Sequence, residues 1–254
     1  LDAAYPWITR IHRYPHMTVR LHIYRVLRWH GEPHGRESQQ LSWEDPHAVG
    51  VAPLLPANHD ILQALILPRV YAITQASKYG ISGFMERLGL ALDNGVRLIQ
   101  VREPAMSQPE LAQFARQAVS LAHRYGAQVL VNADVAVARD AGADGVHLQA
   151  AQLLQYRTRP DTRLLAASCH NREELQRAAE LGVDFAVLSP VLPTQSHPGA
   201  PTLGWEHFAE LCLDMPMPVF ALGGMRLDLL ETAQTHSAHG VSLLSAIWTP
   251  PGTN

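Results

Sequence analysis

Polar residues suited to proton transfer stand directly after short apolar runs of this sequence. His170 follows the run Leu164–Ser168, and a histidine side chain can take up and return a proton near neutral pH. The alternative is that His170 only caps a helix or orients a neighbour. Cys169 precedes it, but neighbouring residues of an extended segment point to opposite sides. We therefore expect His170 to be the catalytic base, without a Cys–His nucleophile pair.

A glycine pair predicts an anion site. Gly223–Gly224 follows another apolar run, and glycine lets backbone N–H groups approach an anion closely. A short helix predicted over Leu244–Trp248 would point its positive end the same way. Together, Gly223, Gly224, Ser245 and Ala246 are typical of a phosphate site. The alternative is a tight turn without a ligand.

A stiff, polar loop stands between these two features. Pro193–Gly204 contains several prolines, and Thr194, Ser196 and His197 supply hydrogen-bonding groups. Such a loop can cover a phosphate or a diphosphate. The alternative is a rigid connection whose polar groups face water.

Further polar residues lie within or just after other apolar runs. Gln100 and Arg102 are two positions apart, so they share one face of a strand, and Asn132 ends the next strand. The Arg102 guanidinium can bind an oxyanion, or it can pair with Glu103. We interpret His147, which lies inside a run, as a hydrogen-bonded core histidine.

The elements that must position these residues alternate regularly after Pro68. Short β-branched runs alternate with amphipathic runs, which indicates parallel strands joined by helices. Eight such units favour a closed α/β (β/α)8 (TIM) barrel, whose reactive groups lie just after the strands. The predicted strands are Val70–Thr74, Arg97–Val101, Gln128–Asn132, Gly145–Leu148, Leu164–Ser168, Phe185–Leu188, Val219–Leu222 and Gly240–Leu243.

Composition limits the class of protein. Apolar residues are 47% of the 254 residues, so a large core can be buried, and the net charge is −3. Without a run of basic charge we expect no nucleic-acid polymer as a partner. Two cysteines, no signal peptide and no bilayer-spanning stretch predict a cytoplasmic protein with no membrane partner. A homo-oligomer is left open.

The first part of the chain differs from the rest. Leu1–Leu67 is dense in Trp and His, with a predicted strand over Thr18–Trp29 and a returning strand over Gln40–Trp43. Pro56–Leu67 predicts a helix capped by Asn58. A hairpin and one helix are too little for a core of their own. The chain begins with leucine, so we expect a processed or truncated piece.

The barrel region resembles a known family. Its motifs resemble thiamine-phosphate synthase and its relative, the TenI-like thiazole tautomerase, over all of Val70–Ile247. The resemblance implies a TIM barrel that binds a thiazole or thiamine phosphate in thiamine biosynthesis. The segments that carry it are QVREPAMS, VNADVAVARDAGADGVHL, SCHNREEL, SPVLPTQSHPGAPTLGW, ALGGM and GVSLLSAI.

The resemblance also implies roles for single residues. Gln100 and Arg102 match the family's polar pair on the second strand, and Asn132 matches its asparagine on the third. Thr194 and Ser196 match hydroxyls of the diphosphate loop. Gly224 and Ser245 match contacts to the thiazole phosphate, and His170 matches the base of the tautomerase.

Departures from the synthase pattern favour the tautomerase. Pro104 and His197 replace the synthase's lysines, and Ala133 and Gln152 replace its acidic magnesium ligands. Expulsion of diphosphate needs such charges. We therefore predict a metal-independent thiazole tautomerase that uses His170, with no cofactor evident in this chain. The alternatives are a non-catalytic module that binds thiazole or thiamine phosphates and a synthase.

The first part resembles the C-terminal half of a MutT-type Nudix hydrolase, the 8-oxo-dGTP diphosphatase class. There Asn58 would read the purine, although a plain helix cap is the alternative. The acidic Nudix helix that holds Mg²⁺ is missing. We expect residues 1–67 to be a truncated Nudix domain without activity of its own, and 68–254 to be the barrel. A further alternative assigns the parent protein's main activity to cleaning the nucleotide pool, with the barrel as a passenger.

Overall fold

Strands and helices alternate through most of the chain. The structure is a computed structural model that describes residues 1–132, 135–194, 199 and 201–248. The strands are β1 Ala3–Arg13, β2 Thr18–Arg28, β3 Val70–Ile73, β4 Leu98–Val101, β5 Gln128–Val131, β6 Gly145–Leu148, β7 Leu164–Cys169, β8 Phe185–Leu188, β9 Val219–Ala221 and β10 Gly240–Leu243. The helices are α1 Pro56–Ile66, α2 Ala76–Tyr79, α3 Ile81–Asp93, α4 Gln108–His123, α5 Val135–Asp140, α6 Ala150–Gln155, α7 Arg172–Leu181, α8 Gly204–Cys212 and α9 Leu230–Thr235, with a 3-10 turn at Leu227–Leu229.

The strands β3 to β10 form a closed barrel. They pair in chain order, all parallel, and β10 pairs back onto β3 with Ser242 opposite Tyr71. Each of these strands is followed by a helix except β10, whose following residues form turns up to Trp248. The predicted α/β (β/α)8 architecture is confirmed for the described part of the chain.

The barrel interior is packed rather than hollow. Alternate strand residues point inward, where Tyr71, Phe185 and Phe220 form a central aromatic group with centroid distances of 5.1 to 5.9 Å. The other strand residues face the surrounding helices and belong to a larger apolar cluster. Both faces are therefore buried, which explains why these short strands read as continuous apolar runs.

Local signals fix the ends of the helices. The Glu110 carboxylate accepts the backbone N–H of Ser107 at 2.8 Å, which caps the start of α4. At α7 the Asn171 side chain accepts the N–H of Glu174, and Gly182 ends the helix at φ 75°. These caps define the start of α4 and both ends of α7.

The N-terminal segment differs in part from its prediction. The strand at Thr18 is confirmed as β2, but residues 29–55 contain no helix or strand, so the predicted strand Gln40–Trp43 is wrong. Its partner is β1, which pairs antiparallel with β2. Asn58 is not the cap of α1 either: Leu55 holds that position without a side-chain bond, and Asn58 is the third residue of the helix.

The hairpin β1–β2 and helix α1 cover the N-terminal end of the barrel. The Trp7 ring stacks on His239, which precedes β10, with centroids 5.7 Å apart. Arg25 donates to the carbonyl oxygens of Ala238 and His239, and the Thr9 N–H donates to the carbonyl oxygen of Met215, before β9. These contacts all precede the barrel strands, so this segment lies opposite the end where the polar residues gather.

The predicted helix Leu244–Trp248 is not formed. These residues make turns, with one backbone hydrogen bond from the Trp248 N–H to the Ser245 carbonyl at 3.2 Å. Trp248 is instead held by tertiary contacts, because its indole N–H donates to the Ile73 carbonyl at 2.7 Å. That anchor leaves too few residues for successive helical bonds. Among the described helices, none is long and apolar enough to span a bilayer.

Candidate functional site

His170 lies at the C-terminal mouth of the barrel. It follows β7 and is exposed, and its Nδ1 lies 2.9 Å from the carbonyl oxygen of Ser189, at the end of β8. A carbonyl only accepts, so in the neutral ring Nδ1 carries the proton and Nε2 keeps its lone pair. The His170 backbone N–H donates to the Glu174 carboxylate at 2.7 Å. The ring is therefore oriented with a basic nitrogen available.

Cys169 points away from this mouth. It is buried in the apolar cluster between strands and helices, and burial raises the pKa of its thiol, with a smaller effect from Glu174. A thiol of this kind is a poor nucleophile. The expectation that Cys169 and His170 do not form a nucleophile pair is confirmed for the described residues.

Arg102 stands at the mouth with its guanidinium exposed. Its backbone N–H donates to the Thr74 hydroxyl at 2.9 Å, which ties the ends of β3 and β4 together. Glu103 does not pair with it, since the Glu103 carboxylate accepts the N–H groups of Ala76 and Ser77 at the start of α2. Within the described chain the Arg102 guanidinium makes no ion pair, so it is available for an anionic ligand.

A buried hydrogen-bonded group lies one layer deeper. His147 is 1% exposed; its Nδ1 lies 3.1 Å from the Tyr71 hydroxyl and its Nε2 lies 2.8 Å from the Ser168 hydroxyl. Burial, with a smaller contribution from Arg102, lowers the pKa of His147 to about 3. Burial also raises the pKa of Tyr71, while contact with the Gln100 side chain opposes the rise. The interpretation of His147 as a satisfied core histidine is supported.

Asn132 is engaged with the neighbouring strand. Its side-chain N–H donates to the His147 carbonyl at 3.1 Å, and its oxygen accepts from Gln149 at 3.2 Å. Gln152 in turn accepts the Gln149 N–H at the start of α6. These amides form the wall of the mouth between β5 and β6.

The glycine pair after β9 adopts a backbone that only glycine tolerates easily. Gly223 and Gly224 have φ of 99° and 68°. A Cβ on Gly224 would lie 2.7 Å from the Pro193 carbonyl oxygen and 2.8 Å from the Leu192 Cβ. Glycine is therefore required here for two reasons: the backbone has positive φ, and the loop after β8 approaches too closely for a side chain.

Several backbone N–H groups just after β9 and β10 are free. In the described part of the chain, the N–H groups of Gly223, Gly224, Ser245 and Ala246 donate to no acceptor. They follow β9 and β10, which are hydrogen-bonded neighbours. Unpaired N–H groups from adjacent strand ends can bind a phosphoryl oxygen, although here turns rather than a helix supply them.

The remaining predicted positions have separate outcomes. Thr194 is partly buried after β8, whereas Ser196, His197, Ala133 and Asp134 lie outside the described residues. Asn58 lies on α1, at the opposite end of the barrel from the mouth. Tyr71, Ser168 and Ser189 were not singled out from the sequence; Ser168 shares its strand face with His170, which is the signal that could have identified it.

Among the described residues, the donor set at the mouth does not suit a magnesium ion. Mg²⁺ prefers carboxylate oxygens, but Glu103 and Glu174 already accept backbone N–H groups. Over the described ranges, no group of three His, Cys, Asp or Glu side chains could hold a metal ion. The nearby residues Asn132 and Gln152 carry neutral amides.

Surface cavities lined by described residues include two that lie away from the mouth. One, with a volume of about 600 Å³, lies between α3 and α4 and includes Arg116 and Arg124. The other, of about 80 Å³, lies between the hairpin and the barrel and includes Trp7 and Asp214. Neither is at the strand ends, so the site is assigned from its side chains and free N–H groups.

The barrel matches one protein family. The model of the thiamine monophosphate synthase family matches residues 70–247. The chain belongs to this family, and the resemblance of the barrel region is confirmed. The match begins at Val70, so the hairpin β1–β2 and helix α1 lie outside it.

Individual relatives support the same assignment. A putative thiamine-phosphate synthase 2 of Aquifex aeolicus is 35% identical over 182 residues, which are 70% of this chain and 97% of that protein. A putative thiamine-phosphate synthase of Geobacter sulfurreducens is 36% identical over 187 residues, 72% of this chain and 87% of that protein. A thiamine phosphate pyrophosphorylase structure from Pyrococcus furiosus superposes with a TM-score of 0.62 at 23% identity, covering 74% of this chain and 91% of that one. The last comparison shows the fold alone.

Proposed function

We propose that the barrel is a metal-independent thiazole tautomerase of thiamine biosynthesis, with His170 as its base. The observation that carries this proposal is the hydrogen bond from His170 Nδ1 to the Ser189 carbonyl, which leaves Nε2 as a proton acceptor at the mouth. An isomerisation of this kind needs one group that takes a proton from one ring position and returns it to another. No net proton, electron pair or co-reactant is consumed.

The rest of the mouth suits a thiazole carboxylate phosphate. The free N–H groups of Gly223, Gly224, Ser245 and Ala246 would hold the phosphoryl group. The exposed Arg102 guanidinium would bind the carboxylate through a charge-assisted contact. Thr194, Ser196 and His197 belong to the loop that would cover the ligand. Holding the substrate at both anionic ends would fix the ring near His170.

The test is isomerisation of thiazole carboxylate phosphate by the full chain, followed by NMR. We expect His170→Gln to lower the rate by about 10²- to 10⁴-fold, the usual contribution of a general base, and to leave substrate affinity within about threefold. His207→Gln is the matched control, because His207 is also exposed but lies on α8, outside the mouth; its rate should equal that of the unmodified chain.

Two results would contradict the proposal. Equal rates for His170→Gln and the unmodified chain would exclude His170 as the base. Tight binding of thiazole carboxylate phosphate or thiamine phosphate without turnover would support the alternative of a non-catalytic binding module.

A second candidate is thiamine-phosphate synthase itself, which the names of the relatives favour. The contrary observation is the donor set: Pro104, Gln152 and the engaged carboxylates supply little charge for departing diphosphate. Incubation with a pyrimidine diphosphate, a thiazole phosphate and Mg²⁺ separates the two, since only a synthase forms thiamine phosphate. A metal-dependent product would establish this candidate.

We also propose that residues 1–67 form a unit separate from the barrel of residues 68–254 and derive from a Nudix hydrolase. The support is the sequence resemblance and a small cluster of its own, in which Ile23 and Ile61 pack against Trp7, Ile8 and Ala64. Asn58 would then be a former purine contact. The gene sequence upstream of Leu1 is the test: an acidic Nudix helix encoded there would support a fused 8-oxo-dGTP diphosphatase, and its absence would contradict it.

A further inference from the structure

The buried group beneath the mouth has two possible proton arrangements. Tyr71, His147 and Ser168 form a chain of hydrogen bonds across the barrel interior, from β3 through β6 to β7. A neutral histidine carries one N–H, so each of its bonds has a defined direction. Because the two hydrogen bonds are joined through the single N–H of the His147 ring, the direction of one bond determines the direction of the other.

In the first arrangement His147 carries its proton on Nε2. It then donates to the Ser168 oxygen, and the Tyr71 hydroxyl donates to Nδ1. Ser168 keeps its own hydrogen, which it can donate to a ligand. Since Ser168 is partly exposed, this hydrogen is accessible from the mouth.

In the second arrangement His147 carries its proton on Nδ1. Ser168 now donates inward to Nε2 and offers a ligand only lone pairs. His147 donates to the Tyr71 oxygen, and the Tyr71 hydrogen turns away from the His147 ring, while the Gln100 side chain still contacts Tyr71.

We propose that Tyr71 and His147 are positioning residues whose shared proton arrangement decides whether Ser168 donates or accepts toward the ligand's ring. Tyr71, His147 and Ser168 together form this relay, which lies one residue layer below the reactive groups. Ser168 and His170 are two residues apart and share one face at the end of β7. Gln100 and Arg102 have the same relation at the end of β4. This inference rests on the proposed function only in assuming that the mouth binds a ring-containing phosphate.

Burial keeps the relay intact over a wide pH range. Tyr71 is 0% and His147 is 1% exposed, and neither a protonated imidazole nor a phenolate is favoured in that setting. The charged neighbour that faces His147 is Arg102, which also disfavours a second proton on the ring. The relay therefore changes by moving its proton between nitrogens rather than by gaining charge.

The test is the ¹⁵N NMR spectrum of histidine-labelled full-length chain, with the His147 signals identified by their loss in His147→Gln. Ser168→Ala removes the partner of Nε2, so we expect the proton on Nδ1. Tyr71→Phe removes the partner of Nδ1, so we expect the proton on Nε2. Loss of one hydrogen bond of about 1 kcal/mol shifts the tautomer ratio about five- to tenfold. Ser168→Thr should restore the unmodified spectrum.

A packing control distinguishes the effect of losing a relay hydrogen bond from the effect of disturbed core packing. Phe220 contacts the Tyr71 ring at 5.9 Å without a polar group, so Phe220→Leu should leave the tautomer unchanged. In binding experiments, Tyr71→Phe and Ser168→Ala should weaken thiazole carboxylate phosphate about five- to tenfold and leave inorganic phosphate unchanged. Ser168→Thr should retain the affinity of the unmodified chain.

The outcomes distinguish this inference from the proposed function. If Tyr71→Phe and Ser168→Ala show the same tautomer, or if neither changes affinity for the thiazole compound, the relay is refuted. If the tautomers move in opposite directions and ring binding weakens while the unmodified chain shows no isomerisation, the relay stands and the tautomerase proposal fails.

Discussion

At the scale of single residues, strand parity separates the side chains of Cys169 and His170 at the end of β7. Cys169 faces the helices and His170 faces the mouth, because consecutive strand residues point to opposite sides. Ser168 shares the inward face, and it contacts His147 there. The same alternation places Gln100 and Arg102 together on β4. Reactive side chains in this barrel are therefore assigned to the mouth or the core by their position along a strand.

The glycine pair provides a prediction at this scale. Gly224→Ala places a methyl group 2.7 Å from the Pro193 carbonyl at φ 68°. We expect unfolding free energy to fall by about 2–3 kcal/mol, and phosphate affinity to fall about tenfold because the N–H groups shift. Denaturant unfolding and phosphate titration measure the two effects.

Gly142→Ala is the matched control for that change. Gly142 has φ 69°, but a methyl group added there would meet nothing within 4 Å, so only the backbone cost of about 1 kcal/mol is expected. Equal losses for the two variants would show that the contact with Pro193 contributes nothing.

The sequence was sufficient to predict the residues whose position follows from strand alternation. His170 and Arg102 belong to this group. Tyr71 and Ser189 do not, because their partners are far apart along the chain and meet only when the barrel closes. The wrong helix after β10 has a similar origin: the tertiary anchor of Trp248 on Ile73 overrides local preference.

At the scale of elements, the barrel was predictable and the N-terminal segment only partly so. Eight repeated units of one pattern reinforce each other, whereas a single hairpin has no repeat to support it. β1 was not predicted from the sequence, and residues 40–43 were assigned as the partner of β2 instead. Both segments flank β2 in the sequence, and only the tertiary contacts of Trp7 and Thr9 distinguish β1 as the true partner. Local strand signals are weaker than these contacts.

Trp7 supplies the prediction for this element. It is 5% exposed and packs between Arg25 and His239. We expect Trp7→Leu to lower stability by about 1–2 kcal/mol, since the lost packing is offset in part by removal of an indole N–H that is buried without a partner in the described chain. Hydrogen exchange should show faster exchange in β1 and β2.

Trp43→Leu is the control for Trp7, because Trp43 is 78% exposed and its loss should leave exchange unchanged. The proposed isomerisation should be unaffected in both variants, since the mouth is at the other end of the barrel. Slow exchange retained in β1 after Trp7→Leu would show that the ring does not hold the hairpin.

At the scale of the whole molecule, two buried neutral histidines link stability to pH. Burial lowers the pKa of both His147 and His239 to about 3, whereas an unfolded histidine titrates near 6.5. Below pH 6.5 the unfolded chain binds more protons than the folded chain. The stability from these groups is therefore full above pH 6.5 and is lost as the pH falls toward 3.

We expect the unfolding free energy to fall between pH 6.5 and 5, by about 1 kcal/mol per pH unit for each buried histidine. His147→Gln should reduce this slope by the contribution of one buried histidine, about 1 kcal/mol per pH unit. Denaturant unfolding at several pH values measures it, and parallel slopes for the variant and the unmodified chain would show that His147 binds protons equally well in the folded and unfolded states.

The cover formed by β1, β2 and α1 over the barrel's starting end has a practical consequence. Its contacts are with residues that precede the strands, such as Met215 and His239, so no substrate has to pass it. An affinity tag, a surface linker or a second enzyme could be attached there while the opposite opening stays clear. Immobilisation through the hairpin would accordingly present the mouth of the barrel outward.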